Sequence, residues 1–577
     1  MKPTPLTRRR FSFFPQLLLA AVFAAGLYLA FTLPPGAAAL VVAAPDPRVA
    51  FGAYHIHTNR SDGTGTPDEI AAAASRAGLQ FVVLTDHGVA TRQLDPPEYR
   101  HGVLVIDAAE ISSAGGHIVA LGMERSSPYP FAGEARDVID DIHRLGGWAV
   151  AAHPDSPRPE LRWRNAGGPN GQNAIYDGIE WLNLDSEWRD ETATHLLGSV
   201  ARYFVRGPET IAALIQRPAQ TLRRWDMSTR ARPVVGLAAL DAHARVPWRT
   251  SREDTRGRTI VALPTYRQML RTVSQAAVLD RPLTGQAPAD SARVLAALRA
   301  GRAYSVVTAF AAPGYLSFQA RQEETPVTIG ESLNAAVPRA VFSAEVNDPA
   351  ARVTLLHNGS QVAAGRGRLN FDGAALPGAY RVEVYRPTGT VPWIVSNPIY
   401  GPDGGGRGGR GAPAVPDAVR FVSMPGEANW AIERSPTSSG VFIADGPATR
   451  FSFGLGPGVA FDQFAALVAS IGGPLAEEGF DRVRFTVRAE GPMRFSVQLR
   501  LPGNRRWRHS VYADATPRPV ELLLQDFQPA DGPTAARPNV ARVRNLLFVV
   551  DTLNAFPGTK GSLWLSDVVM GVGNPER

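Results

Sequence analysis

The stretch from Val49 to His57, VAFGAYHIH, joins an apolar strand pattern to two histidines at its carboxyl end. Side chains two residues apart lie on the same face of a strand, so His55 and His57 project together and can reach one metal ion. Asp62 follows in the turn Ser61-Asp62-Gly63. The stretch therefore predicts a strand that delivers metal ligands at its end.

The same arrangement recurs as far as about residue 307, where apolar runs end in histidine or carboxylate side chains. The residues placed in this way are His87 after Phe81–Leu84, Glu110 after Val103–Ile106, His117 after Gly115-Gly116, His153 after Trp148–Ala152, and Asp241 with His243 after Leu240. A lone histidine at a strand end usually has a structural role, but several independent strands that end this way favour one shared metal site.

Helical stretches separate these apolar runs. The segment Thr66-Pro67-Asp68-Glu69 carries a capping box with proline in the first turn, and Gly78 is positioned to end that helix. A second helix, over 135–145, stops at Gly146-Gly147. Strands alternating with helices predict an α/β domain, and polar groups at the carboxyl ends of its strands are typical of β/α barrel enzymes.

Composition excludes several classes of protein. The 577 residues are enough for three or four domains, and the absence of cysteine rules out disulfides, thiolate metal sites and a cysteine nucleophile. The net charge is +7, but four basic residues lie within the first ten, so the remainder is nearly neutral. Nucleic acid is therefore not expected as a partner. Of the 11 histidines, His357 and His509 alone lie beyond the first domain.

The amino terminus resembles an export signal. Lys2 and Arg8–Arg10 precede an uncharged run over 11–33, which is long enough to cross a bilayer. Residues 1–44 are predicted to form a retained signal anchor or a cleaved signal peptide, with cleavage after Ala37–Ala39 or Ala43-Ala44. Thr7–Phe11 is similar to a twin-arginine signal. Both alternatives place the rest of the chain outside the cytoplasm.

In sequence order, these motifs resemble those of the PHP (polymerase and histidinol phosphatase) superfamily. The resemblance rests on His55-Ile56-His57 with Ser61-Asp62-Gly63, Thr85-Asp86-His87, Glu110, His117, His153-Pro154 and Asp241-Ala242-His243, and it covers about Val49 to Val307. A weaker similarity to the carbaryl-hydrolase-like branch rests on Pro282-Leu283-Thr284-Gly285 and Leu298–Arg302. Membership implies a distorted seven-stranded β/α barrel over 45–310 in a bacterial cell-envelope protein.

The resemblance also implies two or three divalent ions, often Zn, Mn or Fe, held by nine ligands. The implied groups are His55, His57, Glu110 and Asp241 for one ion; Glu110, His117 and His153 for a second; and Asp62, His87 and His243 for a third. Imidazole and carboxylate ligands suit all three metals. No protein nucleophile is then expected.

Other polar residues of this domain have alternative roles. Asp86 either orients a ligand or caps a turn, and Glu180 either lines the site or is a strand-end charge. His101, His143 and His195 are expected at the surface, because none of them ends an apolar strand.

Beyond residue 310 the pattern changes to strands alone. Residues 311–400 are predicted to form an immunoglobulin-like β-sandwich, with a hairpin at Asn358-Gly359. A glycine-rich linker spans 401–416. Residues 417–577 resemble a jelly-roll module of the carbohydrate-binding type, with Trp430, Trp507, Tyr512 and Trp564 available either for sugar stacking or for the core. A glycan or cell-envelope polymer is the partner that this resemblance implies.

Four functions are consistent with these features. The first is a metal-dependent phosphoesterase, in which a hydroxide bridging the metal ions attacks a small-molecule phosphate ester. The second is a carboxyl-ester or carbamate hydrolase on the same ligands. The third is a glycan-binding envelope protein without catalysis, which the complete ligand set argues against. The fourth is a nuclease, which export and the near-neutral charge argue against.

Overall fold

The computed structural model describes residues 14–42, 45–156, 158, 161, 163, 175–189, 191–247, 259–261, 263–402, 420–423, 430–458, 463–471, 480–530 and 542–572. Over these residues the chain is mainly β-sheet in sandwich-like layers, with few helices. The twin-arginine pattern at 7–11, the cleavage position at 43–44 and the linker from 403 to 416 lie outside the described residues.

The amino-terminal elements are one helix and one short strand. Helix α1 runs over Phe14–Thr32. Strand β1 (Ala38–Ala39) pairs in parallel with Ala311 and Ala312. Among the described helices, none has the length and apolar content that a membrane crossing requires. The anchor expected over 11–33 stays a prediction.

The next elements, up to residue 306, include both strands and helices. They are β2 (Val49–Ile56), α2 (Pro67–Arg76), β3 (Phe81–Leu84), β4 (Glu98–Arg100), β5 (Val103–Asp107), β6 (Ala109–Ser113), β7 (Gly116–Leu121), α3 (Ala135–Arg144), β8 (Trp148–Ala151), β9 (Gly178–Asn183), α4 (Leu184–Arg189), α5 (Ala193–Val205), α6 (Gly207–Ala212), α7 (Ala219–Ser228), β10 (Val235–Ala239), β11 (Val246–Pro247), β12 (Thr259–Val261), α8 (Tyr266–Met269), β13 (Ser274–Val278), α9 (Ala287–Arg299) and β14 (Ala303–Val306).

Helix α2 begins as its sequence predicts. The Thr66 hydroxyl accepts a hydrogen bond from the Glu69 backbone N–H at 3.2 Å, and the Glu69 carboxylate accepts one from the Thr66 N–H at 2.8 Å. This reciprocal pair is a capping box, with Pro67 in the first turn. The prediction is confirmed. The capping box fixes the end of the loop that carries Asp62.

Two sheets meet where the candidate ligands lie. In one, β10, β9 and β8 run parallel, and β7 and β6 continue the sheet antiparallel. In the other, β2, β3 and β5 run parallel. Bridge pairs join Ile56 to Ala242 and His87 to Glu110. The carboxyl ends of β2 and β3 therefore lie against the start of β6 and the segment after β10.

The expected seven-stranded β/α barrel is not clearly defined by the described strands. β6 and β7 form a hairpin, and β8 pairs antiparallel to β7. The hairpin turns at Ala114-Gly115, between β6 and β7, so no crossover helix separates these strands. The expected succession of apolar strands with their polar carboxyl ends is present, with β3 and β8 buried along their whole length.

The elements that follow are strands. They are β15 (Ala311–Ala312), β16 (Leu316–Gln322), β17 (Thr325–Thr328), β18 (Arg339–Val346), β19 (Arg352–His357), β20 (Ser360–Arg366), β21 (Arg368–Ala374), β22 (Ala379–Tyr385), β23 (Ile394–Ser396) and β24 (Ile399–Tyr400). The hairpin at Asn358-Gly359 is confirmed, with φ of 51° and 84° at its two central residues. Tyr304 of β14 pairs with Ser396 of β23, so the sheet continues across residue 310.

The last part is a β-sandwich. Its strands are β25 (Arg420–Ser423), β26 (Trp430–Arg434), β27 (Ser439–Asp445), β28 (Ala448–Gly454), β29 (Phe464–Ser470), β30 (Arg482–Ala489), β31 (Met493–Arg500), β32 (Arg506–Ala513), β33 (Arg518–Leu523), β34 (Gln528–Pro529), β35 (Asn545–Asp551) and β36 (Lys560–Val572), with 3-10 turns at Pro502–Asn504 and Leu524–Asp526. One sheet has the order β27-β28-β36-β30-β33, with β25 beside β36, and the other, here the β31 sheet, has the order β26-β29-β35-β31-β32-β34. Phe485, Phe495 and Phe548 are buried between them.

Candidate metal centre

Three groups of side chains bring their ligand atoms close enough to hold a metal ion. Within each group the ligand atoms lie within 4.8 Å of one another. The groups are His55, His57, Glu110 and Asp241; His57, Asp62, His87 and His243; and His87, Glu110 and His117. Because Glu110, His57 and His87 each belong to two groups, the three groups form one continuous centre.

The first group is the one that the sequence analysis expects. The Nε2 atoms of His55 and His57 lie 3.1 Å apart. His57 Nε2 is also 3.2 Å from Glu110 Oε2 and 3.2 Å from Asp241 Oδ1. All four side chains are buried. The ligands at this point thus come from the end of β2, from the start of β6, which follows β5, and from the segment after β10.

Glu110 lies at the middle of the centre and faces histidines with both carboxylate oxygens. Its Oε2 is 3.3 Å from His55 Nε2 and 3.3 Å from His87 Nδ1. Its Oε1 is 3.0 Å from His117 Nδ1 and 3.2 Å from His153 Nε2. One oxygen thus faces His55 and the other faces His117 and His153, so Glu110 contacts members of both groups to which the family resemblance assigns it.

The group around Asp62 contains one residue more than expected. Asp62 Oδ2 lies 3.3 Å from His243 Nε2, and Asp62 Oδ1 lies 3.9 Å from His87 Nε2. His57 joins them, with Nδ1 3.5 Å from Asp62 Oδ1 and its ring stacked on His243 at 4.2 Å. The two nitrogens of His57 therefore face different groups.

His153 differs most from the expected grouping. The family resemblance places it beside Glu110 and His117, but the group there contains His87 in its place. His153 still contacts Glu110 and packs its ring 5.1 Å from that of His117. It thus lies at the edge of the centre, within reach of the same carboxylate oxygen as His117.

Asp241 and His243 have the i, i+2 spacing of residues on one strand face, which predicts a shared strand, but neither of them lies on a strand. β10 ends at Ala239, and Asp241 has a positive φ of 50°. His243 Nδ1 bonds to the Asp241 carbonyl at 2.8 Å. A turn therefore brings the two side chains to the centre, because the chain leaves the sheet beside Ile56.

Three candidate ligands have left-handed backbone conformations. The φ angles are 64° at His55, 30° at His153 and 50° at Asp241. Such conformations cost of order 1–3 kcal/mol each in residues other than glycine, and they are concentrated at functional sites. The sequence carries no signal for them, since each depends on how its strand end meets a neighbouring strand.

Glu180 lines the centre and holds its ligands in place. Its Oε1 lies 2.6 Å from His55 Nδ1, and its Oε2 accepts the His153 backbone N–H at 2.8 Å. The Asn183 amide donates to Glu180 Oε2 at 2.9 Å and to Asp241 Oδ2 at 3.2 Å. A carboxylate behind a ligating histidine fixes the orientation of the ring. Of the two roles expected for Glu180, these contacts show that it lines the site, and no sequence signal identifies Asn183.

Asp86 holds the loop that follows β2. Its Oδ1 accepts the Thr58 N–H at 2.8 Å and the Ser61 hydroxyl at 2.6 Å, and its Oδ2 accepts the Thr58 hydroxyl at 2.7 Å. These contacts show that Asp86 caps a turn, which is the second of its two expected roles. The cap keeps Asp62 close to His57.

The cluster strongly perturbs the ionisation of its members. Burial lowers the pKa of His55, but the charges of Glu180, Asp241 and Glu110 have the larger, opposite effect. The pKa of His55 therefore lies well above its ordinary value. Burial also opposes the charge on His57, yet hydrogen bonds with Asp241 and Glu110 raise its pKa to about 10. Burial lowers the pKa of His87 to about 4, although Glu110 opposes that shift.

The carboxylates shift in the opposite direction. Burial favours their neutral form, but the histidines outweigh it. The pKa of Glu110 falls well below its ordinary value because of His87, His55 and His117, and that of Asp241 falls because of His55 and His57. The pKa of Asp62 also falls, through His243. These lowered pKa values keep Glu110, Asp241 and Asp62 anionic at neutral pH.

The residues present fit divalent ions. His57 Nδ1 and His153 Nδ1 are buried without a hydrogen-bond partner among the described residues, and an unpartnered buried nitrogen is costly. Carboxylate and imidazole are the donors that Zn, Mn and Fe accept. The structure thus shows buried histidine, aspartate and glutamate groups positioned to bind metal, and it does not distinguish among these ions.

A cavity of about 300 Å³ opens beside the centre. It is lined by His153, Glu180 and Asn183 on the side of the centre, and its other walls include Glu187, Arg217 and Gln220. Arg217 is ion-paired with Glu383 at 2.9 Å, so β22 supports this wall of the cavity. The volume of the cavity lies at the lower end of the range for small-molecule sites.

The other three histidines of the first domain lie at the surface, as expected. His101 pairs with Asp68 at 3.0 Å, His143 with Asp177 at 2.6 Å and His195 with Glu191 at 2.8 Å. All three are exposed on the outside of the domain, away from the candidate ligands.

Comparison with known proteins gives one sequence relative. No protein-family model matches the chain. Over 119 residues it is 33% identical to the protein named "Uncharacterized protein MJ1587" of Methanocaldococcus jannaschii, a match that spans 18% of this chain and 67% of the relative. The chain belongs to the same family as MJ1587. That name states no activity.

Solved structures similar to the chain include carbohydrate-binding modules. The family 11 module of Clostridium thermocellum in complex with a β-1,3-1,4-mixed-linked tetrasaccharide has a TM-score of 0.22 and 14% identity over 28% of this chain and 100% of its own. A mutant of the family 29 module CBM29-2 complexed with mannohexaose has a TM-score of 0.19 and 10% identity over 27% and 94%. Scores this low establish neither a fold nor a ligand for this chain.

Replacing Glu180 by glutamine tests its supporting role. We expect metal affinity to fall by about 10- to 100-fold, because a neutral amide holds the His55 ring less firmly than a carboxylate does. Competition with a metal-binding dye measures the affinity. Glu187→Gln is the matched control, since Glu187 lines the same cavity but accepts the Gln216 N–H at 2.9 Å. Equal affinities for the two variants would contradict the role.

Proposed function

We propose that this chain is a metal-dependent phosphoesterase of the PHP superfamily. The observation that carries the proposal is the set of three adjoining ligand groups that share Glu110, His57 and His87. Adjacent divalent ions are typical of enzymes that transfer or hydrolyse phosphoryl groups, because two ions stabilise both the attacking and the leaving oxygen.

The divalent ions would supply activation of water and neutralisation of the phosphate charge. The chain contributes a set of anionic and imidazole ligands, buried from bulk water at His55, His57 and Glu110. Glu180 and Asn183 orient His55, His153 and Asp241 through the hydrogen bonds described above. Held in this way, the ligands need little reorganisation when an ion binds.

The cavity beside the centre supplies a place for the rest of the ester. His153 and Glu180 belong to both the cavity wall and the centre, so a phosphate at the ligands would have its substituent in the cavity. Glu187, Gln220 and Arg217 make the outer wall polar. This composition supports a small polar ester as the substrate class.

We also propose that the two sheets of this domain close into a distorted barrel made of β2, β3, β5 with β6, β7, β8, β9 and β10. Backbone hydrogen bonds support both closures. Leu240 N–H donates to the Tyr54 carbonyl at 3.0 Å, and His57 N–H donates to the Ala242 carbonyl at 3.0 Å. On the other side, Ala108 N–H donates to the Leu84 carbonyl at 2.8 Å.

Comparing two chromogenic esters tests the activity. With the full chain loaded with Mn²⁺ or Zn²⁺, we expect release from an aryl phosphate to be at least about tenfold faster than from an aryl carboxylate or carbamate, a difference of about 1.4 kcal/mol in activation free energy. A chelator should abolish the release from the aryl phosphate. Faster release from the carboxylate or carbamate would establish the rival hydrolase. No release from any ester by protein shown to contain metal would overturn the proposal.

A further inference from the structure

A second cavity, of about 390 Å³, lies on the β31 sheet, in a different domain from the metal centre. Its lining includes Phe464, Gln498, Arg506, Arg508, Val549 and Asp551. Neighbouring residues in sequence, such as Leu499, Trp507 and Phe548, point the other way into the sandwich core. The cavity therefore lies on the outer face of the sheet.

One buried polar atom at this cavity has no partner among the described residues. Gln498 is 5% exposed, and its Nε2 donates to the Ser496 hydroxyl at 3.1 Å. Its Oε1 is buried and accepts no hydrogen bond from any part of the chain that the structure describes. An unsatisfied buried carbonyl destabilises the folded protein, so a hydroxyl donor placed in the cavity would relieve that cost.

Within the part of the chain that the structure describes, no carboxylate is ion-paired with the two arginines beside Gln498, although the charge of Arg508 acts on Asp551. Arg508 lies directly opposite Gln498 in the strand register, and Arg506 contacts Asn504 Oδ1 at 3.4 Å. Some other arginines of this domain are ion-paired, as Arg500 is with Glu433 at 2.6 Å and Arg518 with Asp514 at 2.6 Å. The cavity thus has positive charge available for an anionic ligand.

Apolar groups and one carboxyl group complete the wall. Phe464 and Val549 lie on the same face, where Val549 belongs to a buried apolar cluster. Asp551 pairs with Phe464 in the register, and burial raises its pKa although Arg508 opposes this shift. A wall that combines amides, guanidinium groups and apolar patches suits a ring with hydroxyls on its edge and C–H groups on its faces.

We propose that this cavity binds an acidic saccharide of one or two rings, with its carboxylate toward Arg508 and a hydroxyl toward Gln498. The volume lies near the lower end of the range for small-molecule sites. The same sheet face is covered at its other end, where Arg494 and Tyr512 pack on α3. The site therefore receives a short or terminal sugar. A bare phosphate would leave Phe464 and Val549 without contact.

Calorimetric titration of the full chain with glucuronate and with glucose tests this site. The two sugars share a ring and differ in one carboxylate. The protein is first freed of metal with a chelator, so that the metal centre cannot capture the carboxylate. We expect glucuronate to bind at least about tenfold more tightly than glucose, and Arg508→Ala to remove that advantage. Arg505→Ala is the matched control, since Arg505 is exposed in the adjacent turn.

Gln498→Leu provides a second variant of similar size. It should weaken the binding of both sugars, because it removes the amide while leaving the arginines in place. Equal binding of glucose and glucuronate, or unchanged glucuronate binding by Arg508→Ala, would overturn the proposal. So would the absence of any binding by a protein whose unfolding temperature is normal. None of these outcomes bears on the phosphoesterase proposal, since the titration uses metal-free protein.

Discussion

Replacing Glu110 by glutamine is expected to remove metal and activity together. Glu110 contacts five histidines at 3.0–3.3 Å and belongs to two of the three ligand groups. Glutamine keeps the size of the side chain but not its charge. Loss of a neighbour that merely orients a ligand costs about 10- to 100-fold, so loss of a shared ligand should lower metal affinity by more than about 100-fold.

Metal content after dialysis and the rate of aryl phosphate hydrolysis are the two measurements. Glu98→Gln is the control, since Glu98 is an exposed carboxylate of the same domain that contacts Arg100 at 2.6 Å. Glu110→Asp adds a graded variant, because it keeps the charge but shortens the reach to His117 and His153. It should retain part of the metal. A Glu110→Gln protein with normal metal content and rate would show that the centre is not held by this residue.

The position of the centre could be predicted from the sequence because its ligands follow apolar strands. His55, His87 and Glu110 each come at or just after a run whose burial the structure confirms. Parallel strands bring their carboxyl ends to one edge, so residues that are far apart in sequence meet there. The nine expected ligands lie in one cluster, eight of them within the three groups.

The grouping within that cluster could not be predicted in full. Whether His87 or His153 shares a group with His117 depends on where each ring lies, and the position of His153 depends on contacts such as that of its backbone N–H with Glu180. The positive φ of Asp241 results from a turn that leaves the sheet beside Ile56. Neither feature has a local sequence signal, because both depend on contacts between distant segments.

The roles of the aromatic residues in the last domain could not be predicted from the sequence either. Trp507 is buried in the sandwich core, and Trp564 lies against Arg488 at 3.7 Å, with its Nε1 donating to Asp445. Tyr512 faces Arg144 of α3. Strand alternation predicts which residues share a face, but it does not predict which face another domain will cover.

Removing the Arg494 guanidinium should release the last domain from the first. Arg494 of β31 donates to both carboxylate oxygens of Asp141 on α3, at 2.6 and 2.9 Å, and lies 3.1 Å from Asp137 Oδ1. The side chains of Arg494 and Asp141 are 4% and 2% exposed. Breaking a buried ion pair by removing one partner costs about 3–5 kcal/mol, because the other charge stays buried and uncompensated.

The variant is Arg494→Ala, and the measurement is thermal unfolding followed by calorimetry. We expect the sandwich to unfold at a lower temperature than the rest of the chain, and proteases to cut between the two parts earlier than in the parent protein. Arg500→Ala is the matched control. Arg500 lies on the same strand and pairs with Glu433 at 2.6 Å, but Glu433 is 39% exposed, so this pair is worth about 0–1 kcal/mol.

The pH dependence of that loss separates an ion pair from simple packing. Burial raises the pKa of Asp141 even though Arg494 opposes the shift, so removing Arg494 should raise it further. A carboxyl group whose pKa is raised on folding contributes stability at low pH and loses it as pH rises through the folded value. The destabilisation by Arg494→Ala should therefore be largest near about pH 8 and shrink toward about pH 5. A loss of equal size at both values would assign the interface to the packing of Tyr512 and the arginine stem, because neither of those contacts titrates.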